Sequence, residues 1–122
     1  MSEIAGIGVD IIEIERVKKA YEKESFRKKY FSEGERELIE KRAERCATAF
    51  AGKEAVVKAL GTGFAGVLPS DISILRNEKG APIVVLTGGA KQLAEQLAIT
   101  DIKISLSDSK EQAIAYVIAE RG

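Results

Sequence analysis

The stretch Ile4-Ala-Gly-Ile-Gly-Val-Asp-Ile-Ile12 decides how the chain begins. It is apolar on both faces, rich in β-branched residues and interrupted by Gly6 and Gly8, so it reads as a buried strand. The period then changes. Between about Glu13 and Glu24, Ile14, Val17 and Tyr21 fall on one helical face. Asp10 is the misfit, because its own-face neighbours are Ile4, Gly6, Gly8 and Ile12. A buried carboxylate needs a cation or several donors. The other reading ends the strand at Asp10 and makes it the cap of the following helix. The two glycines let a backbone or a ligand approach closely.

Outward from this start, Ser32 followed by Glu35 is a capping box that opens further helix. The helical signal runs on, with a break near Arg45, to Leu60, where Gly61-Thr62-Gly63 stops it. Residues 71–76 and 82–87 flank Asn77-Glu-Lys-Gly80 as a hairpin. Residues 88–97 read as a short helix. Ile102, Ile104 and Leu106 alternate with polar residues, and residues 114–119 form the last strand. Short adjacent strands of this kind pair antiparallel, so the expected class is α+β, an antiparallel sheet packed with helices.

At 122 residues the length predicts one domain, 1–122. So short a chain leaves much surface exposed, and a subunit interface would add burial. Nineteen basic residues balance nineteen acidic ones, which argues against bulk nucleic-acid affinity. There is no histidine, so a general base must be a carboxylate, a lysine, a tyrosine or water. Cys46 is the single cysteine, which excludes an intrachain disulfide and fits a reducing cytoplasm. The longest uncharged run, Ala59 to Ser70, is twelve residues with three glycines and a proline, too short and broken to cross a membrane. No signal peptide opens the chain.

Three further features admit a chemical reading beside a plain one. Glu54 falls on a helical face made by Cys46, Ala47, Phe50 and Val57, with Lys58 one turn on. With Asp10 it would suit a hard divalent cation that takes oxygen ligands and keeps waters. A Glu54–Lys58 pair, or side chains reaching to the helix edge, explains it equally. The Gly61–Gly63 turn could present amides to phosphate, yet by position it reads first as a helix C-cap. Arg16, Lys19 and Lys23 form a basic strip opposite Ile14, Val17 and Tyr21. Such strips are commonly solvated faces; this one could also dock an acidic helix.

Two motifs carry a family resemblance. Gly6-Ile-Gly-Val-Asp-Ile-Ile-Glu-Ile-Glu-Arg16 and Phe50-Ala-Gly-Lys-Glu-Ala-Val-Val-Lys-Ala-Leu-Gly-Thr-Gly63 resemble, in order and spacing, the two signatures of bacterial holo-[acyl-carrier-protein] synthases, small phosphopantetheinyl transferases. The resemblance continues through Asp71-Ile72, Gly80-x-Pro82, Ser105-Leu-Ser-Asp108 and Ala115-x-Val117. It implies a compact 4'-phosphopantetheinyl transferase-like fold, typically a homotrimer with each active site between two subunits. It implies magnesium held by Asp10 and Glu54, with Lys58 at the phosphates. Lys53, the Gly61, Thr62 and Gly63 turn and Pro82 would line the coenzyme A site, and Arg16, Lys19 and Lys23 would dock apo acyl carrier protein. Two departures stand out. Ala49 occupies a place where members often have arginine, and Asp108 one where many have histidine.

Three other readings compete with a transferase. A non-catalytic coenzyme A or carrier-binding protein would keep the cleft and the basic strip without the metal chemistry. A bland α+β oligomer would have no ligand. A magnesium-dependent hydrolase would cleave coenzyme A with water, needing no carrier serine.

Overall fold

The computed structural model describes residues 2–122. The chain opens with strand β1 (Glu3–Glu13), then three short elements, α1 (Ile14–Tyr21), α2 (Glu24–Tyr30) and α3 (Glu33–Lys41), before the long helix α4 (Arg45–Leu60). A 3-10 turn (Pro69–Asp71) leads into β2 (Ile72–Arg76) and β3 (Pro82–Leu86); α5 (Gly88–Gln96), β4 (Asp101–Asp108) and β5 (Gln112–Arg121) complete it. The strands form two antiparallel sheets, β1-β5-β4 and the hairpin β2-β3. The expected class, α+β with antiparallel pairing, is what the structure has.

Helix α4 is buried on nearly every side, which its small and apolar residues allow. It lies on the inner face of the three-stranded sheet, and what brings it close is the absence of side chains. A Cβ at Gly8 would stand 1.9 Å from the Ala55 carbonyl oxygen, and one at Gly6 equally close to that of Ala59. On β5 the residues facing the same way, Ala113, Ala115, Val117 and Ala119, are all fully buried. The glycines therefore admit backbone, and the backbone is that of α4. Nearer the start of the helix, Gly52 leaves room for Ile74 and Ile104.

The outer face of β1 differs from expectation. Helices cover one face of the sheet only, so the strand is half-buried. Ile7, Val9 and Ile11 point out and remain exposed, Val9 at 52%. Their partners across the sheet, Tyr116 opposite Val9 and Ile114 opposite Ile11, are exposed beside them. A bulge between Ile4 and Gly6 shifts the register at the start of the strand.

The capping box is present as read. The Ser32 hydroxyl accepts from the Glu35 amide, and the Glu35 carboxylate accepts from the Ser32 amide at 3.0 Å. The hairpin closes on Asn77, whose side-chain oxygen accepts from the amides of Lys79 and Ala81, each at 3.0 Å. Helix α1 stops at Tyr21, before the expected Glu24, because a second short helix turns off at Lys23. That second helix presents Phe26 and Tyr30, which stack on each other at 4.7 Å and meet Phe50 of α4.

Candidate functional site

A cleft of about 430 Å³ opens between β1, α1, α2 and α4. Phe26, Tyr30 and Phe50 form its apolar wall, and Asp10, Arg16 and Glu54 are its charged groups. A larger open hollow, about 640 Å³, lies between the chain ends beside the Arg121–Glu3 ion pair, but no comparable set of groups converges there.

The strand's alternation positions Asp10. Gly6, Gly8 and Asp10 share the face toward α4, and Asp10 is paired with Ala115 in the sheet. It is thus a strand residue and not a helix cap; the residue preceding α1 is Glu13, and its side chain makes no capping bond. The close approach of α4 sets Asp10 against the turn bearing Glu54 and Lys58. Lys58 Nζ donates to the Val9 carbonyl at 2.9 Å and to Asp10 Oδ1 at 3.4 Å. Lys58 therefore pairs with Asp10, and the Glu54–Lys58 pair that an isolated helix would favour is not what forms. Burial pushes the Glu54 carboxyl above its ordinary range, the Asp10 charge adds to the rise, and Lys58 opposes it. Two carboxylates in one cleft, one raised by the other, are a setting that a cation relieves. Among the described residues no group of three or more acids, cysteines or histidines gathers to hold a metal. Two carboxylates suffice for a magnesium ion that keeps most of its waters.

The remaining site expectations fall out unevenly. Lys53 is a correction: its side chain is 1% exposed, and its ammonium donates to Glu35 Oε1 at 2.6 Å, to the Pro69 carbonyl at 3.1 Å and to the Ile72 carbonyl. All three donors are taken, so none is free for a ligand. Gly61 is the left-handed C-cap of α4, at φ 81°, and Thr62 and Gly63 follow it exposed. Pro82 begins β3 opposite Arg76, outside the lining of the cleft. Arg16 lines the cleft and Lys19 is exposed on the same helix, whereas Lys23 stands at the start of α2 and so leaves the strip.

One group went unread. Arg42, Arg45 and Arg76 gather beyond the opposite face of α4, where burial and the charges of Arg45 and Arg42 draw the Arg76 guanidinium's affinity for its proton down. Asp108 offsets them, accepting from Arg42 Nη2 at 2.8 Å. The available signal was Arg45 itself, one helical turn before Ala49 and hence on its face.

The chain is 44% identical over 117 residues to the holo-[acyl-carrier-protein] synthase of Lachnoclostridium phytofermentans, covering 96% of each chain. Its fold matches the acyl carrier protein synthase of Plasmodium yoelii with ADP bound at a TM-score of 0.88 and 32% identity, covering 100% of this chain and 98% of that one. It matches the holo-(acyl-carrier-protein) synthase of Bacillus anthracis in complex with CoA (3',5'-ADP) at 0.81 and 33%, covering 98% of both. Residues 6–117, which include both motifs and the whole cleft, match the ACPS family, so this chain belongs to the 4'-phosphopantetheinyl transferase superfamily.

Proposed function

We propose that this chain transfers the 4'-phosphopantetheine group of coenzyme A to a serine of apo acyl carrier protein and releases 3',5'-ADP. The observation that carries the reading is the meeting of Asp10, Glu54 and Lys58 at one end of a cleft whose rim bears Arg16. The serine hydroxyl forms a new P–O bond at the phosphorus nearer the pantetheine. The bond from that phosphorus to the bridging oxygen breaks, and 3',5'-ADP departs with the electron pair. Lys58 is the accessible cation for the charge on the phosphates: its side chain is 55% exposed, and its ionic partner, Asp10, stands at 3.4 Å beside the Val9 carbonyl that it also meets. The serine proton passes to Glu54 or through water to bulk: the chain has no histidine, and Lys58 is the cation for the phosphates. Asp10 and Glu54 would hold magnesium, which supplies charge neutralisation at the pyrophosphate. The Gly61, Thr62 and Gly63 turn, with Pro82, serves the coenzyme. Arg16 and Lys19, with Lys23 beyond the bend, meet an acidic carrier surface.

The same reading makes the enzyme a homotrimer. The exposed row of Val9, Ile11, Ile114 and Tyr116 is an apolar sheet face of the kind that marks an interface. Helix α4 separates the acid pair from Arg42, Arg45 and Arg76 of the same chain, and in a trimer the corresponding arginines of a neighbour would be available to a coenzyme in this cleft. The reaction belongs in the cytoplasm, consistent with a lone cysteine; no helix of the described residues is long and apolar enough to cross a membrane.

The test is the intact mass of an apo acyl carrier protein incubated with the chain and coenzyme A, in magnesium and in chelator. A gain of one phosphopantetheine arm only with magnesium is the expected result. No gain while coenzyme A still binds would establish the binding-protein reading instead, and release of 3',5'-ADP without a carrier would establish a hydrolase. A gain in chelator would remove the metal from the reaction.

A further inference from the structure

Among the described residues Lys53 is the buried cation that the proposed chemistry leaves unused. Its surroundings assign it work. The segment after α4 leaves through three left-handed glycines, Gly61, Gly63 and Gly66, at φ 81°, 62° and 74°, each with open space where a Cβ would be. Within it only Phe64 and Val67 pack against the core, and Gly61, Thr62, Gly63, Ala65 and Gly66 are exposed, so the glycine-bearing part has little packing of its own to hold it. The chain is gripped where it returns, at Pro69 and Ile72, whose carbonyls both accept from Lys53 Nζ. Lys53 lies about two helical turns before Gly61 and directly beside Glu54, so α4 holds both ends of the turn that leaves it. Glu35 fixes the ammonium from the far side: one carboxylate oxygen takes Lys53, and the other accepts from the Ile74 amide at 2.9 Å. The two acceptors that complete the buried ammonium are the carbonyls of the first residue of the 3-10 turn, Pro69, and of the residue after it, Ile72, so the pairing that satisfies Lys53 also ties down the returning chain.

We infer that Lys53 is a positioning residue: through the Pro69 and Ile72 carbonyls it sets the Gly61–Gly66 turn relative to Glu54 and Lys58, and coenzyme affinity depends on that setting. The role of the turn in coenzyme binding rests on the proposed transfer reaction; the clamp itself does not.

The test compares wild type with a Glu35→Gln/Lys53→Met double variant, which removes the clamp without stranding a buried charge, and with Lys53→Arg. Amide hydrogen exchange over residues 61–72 is measured beside steady-state kinetics. The expected result in the double variant is exchange about tenfold faster in that segment and a KM for coenzyme A about tenfold higher, with kcat within about threefold and the carrier KM unchanged. A folded double variant with wild-type exchange in the segment overturns the proposal, as does an equal loss toward both substrates, the mark of a merely structural role. Should the double variant not fold, Lys53→Arg decides: it keeps the charge for Glu35 but changes the donor geometry, and wild-type exchange and KM there overturn the proposal. If the wild-type chain transfers nothing from coenzyme A, the transfer reading falls while the exchange measurement still judges the clamp.

Discussion

Lys53 and Lys58 stand on the same helix, each facing a carboxylate, and they could hardly differ more. The first is sealed in, with three acceptors for three donors and a 2.6 Å contact to Glu35. The second is more than half exposed, with 3.4 Å between it and Asp10. A buried charge persists only where its partners are complete, so Lys53 is committed to architecture. An exposed, loosely paired charge gains little from its partner and can change partners when an anion arrives. The residue types are identical; completeness of pairing separates a structural ion pair from one available to chemistry.

The largest test of this contrast lies at the open pair. Asp10→Ala or Glu54→Ala should reduce magnesium-dependent carrier modification by roughly a hundredfold or more, while thermal unfolding stays near wild type because one of two facing carboxylates has gone. Near-full activity in either variant would take the metal site away from this cleft. At the closed pair the effect should be on folding. Lys53→Met alone strands Glu35 and should cost about 3–5 kcal/mol in urea unfolding; a loss below about 1 kcal/mol would erase the distinction between the two lysines. Lys58→Met should do the reverse, with kcat down roughly tenfold to a hundredfold and stability within about 0.5 kcal/mol of wild type. The smallest effect belongs to the rim: Arg16→Glu with Lys19→Glu should raise the carrier KM by about tenfold and leave that for coenzyme A nearly unchanged. Equal effects on the two substrates would remove the docking surface.

Local signals in the chain were reliable wherever local chemistry decides. The Ser32–Glu35 capping box, the Asn77–Gly80 turn and the stop at Gly61 lie where residue type and spacing place them, because each is settled within a few residues. Features that need a distant partner were less legible. Glu35 was readable as a cap but not as the seat of Lys53, since its second role depends on a helix 18 residues away. The Asp10–Glu54 neighbourhood was suggested by two apolar settings, while Lys58 pairing across to β1 followed only from the packing of α4. The half-exposed state of β1 was hidden for a related reason: an isoleucine on an open sheet face and one against the core have the same side chain. Arg42, Arg45 and Arg76 come from separate segments and meet only in the folded chain.

The contact of Gly6 and Gly8 with α4 has a consequence for how this enzyme can vary. Side chains between a helix and a sheet act as spacers, and evolution can exchange one spacer for another. Here backbone rests on backbone, 1.9 Å from where any Cβ would stand, so there is no spacer to exchange. The gap between the strand carrying Asp10 and the helix carrying Glu54 behaves as a ruler of fixed length. Variation is therefore left to the rim, while the distance between the two acids stays outside its reach.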